Sequence, residues 1–219
     1  MKLLSVLSLN RKFTGDDFLQ RLCYQNNVRS KYLTFAIIIF GLLFASYDIL
    51  ILQKTLTFDV FLIHFKTDLV FLVLSCIFTL YIYFNQVRTY RDIHRHHKYI
   101  HGIISLTILI WTAFKSILFM QYNEGNYFLT FIGILTTGLV YIFPAIIHFT
   151  QLVTTILFAI ITSLIFNFTL YQIAEDLYIV IIIALISFTV SRYIFHLQLK
   201  IYSKDKELLR YKRRITQPK

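Results

Sequence analysis

Six stretches of the chain are apolar on every side rather than along one stripe: Tyr32 to Leu52, Leu69 to Phe84, Ile103 to Met120, Tyr127 to Phe143, Leu152 to Tyr171 and Leu177 to Leu197. All-round hydrophobicity over roughly 20 residues is what a helix needs to cross about 30 Å of hydrocarbon. The pattern predicts an all-α, polytopic membrane bundle of six transmembrane helices. The fourth and fifth spans run together, because no charged residue occurs from Phe128 to Leu170. Pro144 divides them: it lacks an N–H and restricts the residue before it, so Phe143 to His148 is predicted as a turn, with His148 and Gln151 at the interface.

The pattern changes at both ends. Before Tyr32 the apolar positions thin to a stripe, Phe18, Leu19 and Leu22, set between Asp16, Gln20 and Arg21. Thr14 with Asp17 three residues later resembles a capping arrangement, so a surface helix that lies on anionic lipid or packs under the bundle is expected. At the other end, Val190, Ile194, Leu197, Ile201, Leu208, Tyr211 and Ile215 repeat as a heptad seam with one place taken by Lys204. No Gly or Pro interrupts it before Pro218, so the sixth span is expected to continue into the cytoplasm as one helix. That helix could pair with a second copy of itself, or lie on lipid through its many lysines and arginines. The expected organisation is a cytoplasmic amphipathic segment at 1–31, the transmembrane domain at 32–197, and a basic helix and tail at 198–219.

Composition agrees with the membrane assignment: 57% of residues are hydrophobic, 15% are charged and the mean hydropathy is +0.65. These values exclude an ordinary soluble enzyme, a disordered tail and a disulfide scaffold. Cys23 and Cys76 lie in unlike surroundings, and a bridge between them is not expected. A net charge of +11 would suggest nucleic acid in a soluble protein. Its distribution says otherwise. Lys2, Arg11, Lys12, Arg21, Arg29 and Lys31, then Arg88, Arg91, Arg95 and Lys98, then the cluster from Arg192 to Lys219 all fall on one side of a six-span frame. Only Lys54 and Lys66 fall on the other. By the positive-inside rule both termini are cytoplasmic, the protein sits in the cell membrane, and the basic partner is the lipid bilayer rather than nucleic acid.

Ionisable groups at membrane depth are costly to insert and become the first candidates for function. Asp48 lies near the outer end of the first span, Asp68 at the outer mouth of the second, and Trp111 and Lys115 in the outer half of the third. Asn167 is placed at a similar depth on the fifth, and Glu124, Glu175 and Asp176 in outer loops. Asp48, Asp68, Trp111, Lys115 and Asn167 are therefore the candidate ligand-binding residues of an outward-open pocket. A competing account has Lys115 and Asp48 reaching the headgroups or pairing to fix helix packing. Histidines gather on the inner side, where His97 and His101 share a helical face and His148 and His196 join them. These four are the weak candidates for a metal. His94-Arg95-His96-His97 lacks the spacing of a di-iron box, and Arg95 and Lys98 add like charge beside any cation. No protease, hydrolase, phosphate-loop or dinucleotide motif occurs, so no catalytic residue and no cofactor are assigned, and an enzyme is not the leading reading.

Gly133 and Gly138 are five apart and do not share a helix face; with a single proline in the membrane region, broken transporter helices are not expected. Six spans, cytoplasmic termini, and a last span passing through Ser191-Arg192-Tyr193 into Gln198-Leu199-Lys200-Ile201-Tyr202-Ser203-Lys204 resemble the amino-terminal sensor module of bacterial diguanylate cyclases and histidine kinases. In that family a catalytic domain follows the signalling helix. For a chain ending at Lys219, the resemblance implies a regulator of a separate cytoplasmic signalling partner, or a relative without its enzyme. The sequence thus favours a sensory or regulatory membrane protein, with a small transporter or transporter subunit, and a His-dependent metalloenzyme, as the other classes.

Overall fold

The computed structural model describes residues 16–85, 87, 89, 95–123 and 126–216. Thr14, His94 and Glu124 fall outside them, as does the side chain of Ile215. Among the described residues there are six main helices and no strands. Helix α1, Asp16–Tyr47, continues through a π-helical turn, Asp48–Leu52, and a last α-turn, Gln53–Thr55. The others are α2, Phe58–Phe84; α3, Arg95–Asn123; α4, Phe128–Val140; α5, Ala145–Ile165; and α6, Leu170–Thr216. Five of them are long and apolar enough to cross a membrane. Their outer faces carry large exposed apolar side chains, such as Phe40, Phe84, Ile146, Ile165 and Tyr171, consistent with a membrane bundle.

The six expected spans are not all of one kind. Helix α4 has 13 residues, about 20 Å, which is short for a crossing. It ends at Tyr141, where the backbone turns extended, and Tyr141, Ile142 and Phe143 are buried. Buried non-helical backbone must find its hydrogen-bond partners within the protein. Asn26 of α1 supplies a matched pair, its Nδ2 donating to the Ile142 carbonyl and its Oδ1 accepting from the Ile142 N–H, both at 3.0 Å. Arg29 donates to the Val140 carbonyl at 3.1 Å and Arg192 to that of Phe143. The Tyr141 hydroxyl meets Ser30 Oγ at 3.1 Å, which in turn lies 3.0 Å from His101 Nδ1. Pro144 then caps α5, so the break runs from Tyr141 to Pro144 and begins two residues before the expected turn, and His148 and Gln151 are buried within the bundle.

The boundary between α5 and α6 also lies earlier than expected, at 166–169 instead of after Tyr171. Asn167 is the reason. It adopts φ 65°, the left-handed conformation of a helix C-terminal stop, with Phe168 N–H bonding the Ser163 carbonyl and Asn167 N–H that of Leu164. Thr169 and Gln172 then form a reciprocal capping box, Thr169 N–H to Gln172 Oε1 at 2.7 Å and Gln172 N–H to Thr169 Oγ1 at 3.3 Å. Glu175 and Asp176, expected in a loop, consequently lie inside α6.

Helices α3 to α6 pack around one apolar core built from Leu109, Ala113, Ile117, Ile134, Ala159 and Val180. The short α4 lies tightly against two neighbours on different faces. A Cβ on Gly133 would collide with Thr112 Oγ1 of α3, and one on Gly138 with Ser187 Oγ of α6. Helices α1 and α2 form a hairpin joined to this group through Ile37, Phe71, Ile104 and Ile108. At the basic end, α1 and α6 both run on past the core and pack as a two-helix stem. Phe18 and Leu22 are buried against Phe195, Leu199 and Tyr202, with Gln25 bonded to Gln198 and Arg21 paired with Asp205 at 2.8 Å. The expected divisions at residues 31 and 197 thus fall inside unbroken helices. The amino-terminal stripe packs under the bundle, the second of the two placements expected for it, with Phe18 and Leu22 buried against Ile142 and Phe195, whereas Leu197, Ile201, Leu208 and Tyr211 of the seam remain exposed.

Candidate functional site

Three helices bring three charged side chains to one point. Asp48 is the first residue of the π turn and is buried there. Asp68 lies ten residues along α2, about 15 Å from that helix's start, because α2 begins at Phe58 and not near Leu69. Lys115 lies about 12 Å short of the end of α3. The lysine Nζ donates to Asp68 Oδ2 at 2.8 Å and to Asp48 Oδ2 and Oδ1 at 3.0 and 3.3 Å. All three side chains have 0% exposure. Lys115 therefore does not reach for the headgroups, and the residues form a sealed cluster rather than the open pocket expected.

The cluster is asymmetric. Both oxygens of Asp48 are engaged, while Asp68 Oδ1 is buried with no hydrogen-bond partner. Of the two carboxylates, Asp68 therefore makes fewer hydrogen bonds to the lysine, one against two. Aromatic rings complete the walls. The Lys115 ammonium lies 5.9 Å from the Phe44 ring centroid and 5.4 Å from that of Phe119, within cation–π range. Trp111, one helical turn from Lys115, stacks on Phe71 at 4.0 Å and meets Phe44 edge-on at 5.4 Å.

His64 belongs to this neighbourhood and went unnoticed in the sequence. It is fully buried, and its ring packs at 5.4 Å on Phe119, the same ring that Lys115 approaches. Its position four residues before Asp68 puts the two on one face of α2, which is the signal that could have found it. Asn167, in contrast, is not brought to the cluster. It is exposed at the α5–α6 turn, where its backbone conformation accounts for its presence.

The inner histidines do not converge either. Among the described residues no three His, Cys, Asp or Glu side chains are grouped as metal ligands. His101 is bonded to Ser30, His148 stacks on Phe188 at 6.1 Å, and His196 is exposed beside Phe195. His97 is buried near Tyr81. Of the four, His101 alone is tied to the Tyr141–Phe143 segment, through Ser30 and the Tyr141 ring. Comparison with protein-family models, with curated proteins and with solved structures finds no match.

Proposed function

We propose that this chain is a sensory or regulatory membrane protein whose receptive element is the Asp48–Lys115–Asp68 cluster and whose output is the α1–α6 stem. The observation that carries the reading is that one helix holds both: Asp48 of the cluster and Phe18 of the stem lie on the same continuous helical path, about 45 Å apart. A change in the partners of Lys115 or of Asp68 Oδ1 alters how α1 sits against α2 and α3. Because α1 is rigidly helical, the displacement reaches the basic end, where Phe18 and Arg21 hold α6. The π turn at Asp48 favours this role, since such turns recur at functional sites.

In this reading α4 and the extended Tyr141–Phe143 segment together make the sixth crossing, about 20 Å of helix and about 10 Å of strand-like backbone. Both termini are then cytoplasmic, as the charge distribution requires. The stem's exposed seam, Leu197, Ile201, Leu208 and Tyr211, becomes the face for a second copy or a cytoplasmic partner. A transporter needs a polar path open to water, and the fully buried charges favour a switch over a path.

Spin labels at Gln20→Cys and Lys206→Cys, in a background with Cys23 and Cys76 replaced by Ser, report the stem. Lys115→Met and Asp68→Asn should each shift the distance distribution between the labels in reconstituted protein. An identical distribution in the parent and both variants would remove the cluster as the stem's controller.

A further inference from the structure

A second polar feature lies at the basic end and is independent of the cluster. Arg192 is only 7% exposed, yet its Nε and Nη1 have no hydrogen-bond acceptor. Its position is held from three sides: Nη2 donates to the Phe143 carbonyl, and the guanidinium lies 5.6 Å from the Phe188 ring and 5.0 Å from the Phe195 ring. A buried guanidinium with idle donors, fixed in place by two aromatic faces, is arranged to receive an anion. His148, also buried and without a hydrogen-bond partner at either ring nitrogen, stacks on the same Phe188.

Arg192 closes one end of a cleft of about 280 Å³ between α5 and α6. Apart from the arginine the cleft is apolar, walled by Phe149, Val153 and Ile156 of α5 and by Ile181, Leu185 and Phe188 of α6. Ala145, the first residue of α5, stands at the charged end, where the first-turn N–H groups of a 21-residue helix add positive potential. Two helical rulers place this end at the membrane boundary. Helix α5 spans about 31 Å from Ala145, and the run from Tyr171 to Arg192 in α6 spans about 32 Å, each close to one hydrocarbon thickness. From Ala145 to Ile156, and from Arg192 back to Ile181, the cleft descends about 16 Å, the depth of one leaflet.

We infer that this cleft binds one anionic phospholipid, its phosphate on Arg192 at the mouth of the cleft and an acyl chain between α5 and α6. A bulk lipid needs no guanidinium buried beneath the headgroup level, and a free anion needs no apolar groove one leaflet deep. The combination selects an amphiphile with a negative head. Because Arg192 also holds the Phe143 carbonyl, the lipid would brace the break between α4 and α5.

The test uses purified, delipidated full-length protein titrated in detergent with dioleoyl phosphatidylglycerol or dioleoyl phosphatidylcholine, read by native mass spectrometry. The first bound lipid should be phosphatidylglycerol, preferred roughly tenfold, the scale of one charge-assisted contact. Arg192→Gln should erase the preference and Arg192→Lys should keep part of it. Val153→Trp fills the groove without touching Arg192 and should lower phosphatidylglycerol retention by a similar factor, so it decides the matter if the glutamine variant fails to fold. Millimolar inorganic phosphate should not displace the lipid. Equal retention of the two lipids by the parent protein, or an unchanged preference in Arg192→Gln and Val153→Trp, overturns the proposal. So does displacement by inorganic phosphate, which would mark a simple anion site, or by oleate at equal concentration, which would mark a carboxylate site.

Discussion

Replacing Lys115 with methionine isolates what the charged cluster contributes. The side chain keeps its length and its packing against Phe44 and Phe119 but loses the ammonium that bonds three carboxylate oxygens. Two carboxylates with 0% exposure then face each other without the cation between them. Removing one member of a buried ionic group typically costs about 3–5 kcal/mol, because the remaining charge keeps its desolvation penalty. At roughly 2–4 °C per kcal/mol for a chain of this size, the melting temperature should fall by about 6–20 °C. The single tryptophan supplies the assay, since Trp111 stacks on Phe71 one turn from Lys115 and its fluorescence follows unfolding in detergent or nanodiscs. Asp48→Asn should cost more than Asp68→Asn, because both oxygens of Asp48 are engaged and only one of Asp68. The triple variant Asp48→Asn, Lys115→Met, Asp68→Asn should recover most of the loss, since a fully neutral buried group carries no unpaired charge. A Lys115→Met protein melting within about 2 °C of the parent would refute the reasoning. So would a triple variant less stable than Lys115→Met alone.

Other expectations follow from single contacts. Asn26→Leu deprives both polar groups of Ile142 of their partners and should lower stability by about 2–4 kcal/mol in the same melt, whereas a loss below about 1 kcal/mol would mean that the extended segment is held otherwise. Gly138→Ala should cost about 1–3 kcal/mol through its collision with Ser187 Oγ, and Ser187→Ala should restore part of that loss; no rescue would place the strain elsewhere. Asn167→Gly should be nearly neutral while Asn167→Val costs about 1 kcal/mol or more, as a left-handed position demands. Asp205→Ala removes a partly exposed ion pair with Arg21 and should change stability by less than about 1 kcal/mol, a contrast of scale with the buried cluster.

All-round hydrophobicity was sufficient to find the helices, since the requirement of lipid on the outer face is written at nearly every position. Their ends were harder. Asn167 was read as a polar residue at membrane depth because depth was counted from hydropathy, while Thr169 and Gln172, three apart, carried the stop-and-start signal of the turn. Pro144 marks the break in the sequence itself, but the residues before it are extended because Asn26, Arg29 and Arg192 satisfy their backbone. Those partners come from over a hundred and about fifty residues away, and no local pattern announces them. Asp48, Asp68 and Lys115 were legible as costly charges within one leaflet. That they seal one another off depended on the early start of α2 and on the π turn, neither of which periodicity expresses. His64 was hidden for a simpler reason: the second span was begun five residues after it.

The stem joins positions separated by nearly the whole chain, and this sets the order in which the molecule is assembled. Phe18 leaves the ribosome roughly 180 residues before Tyr202, a delay of about 10–40 s at about 5–20 residues per second. Throughout that interval the inner face of the amino-terminal helix has no partner, and α1 and α2 wait in the bilayer for the remaining helices. Of the helices described, the last made is the one that covers it. Closure of the stem is therefore a late folding event with a long loop behind it, and a chain interrupted before Phe195 keeps a sticky apolar stripe at its beginning.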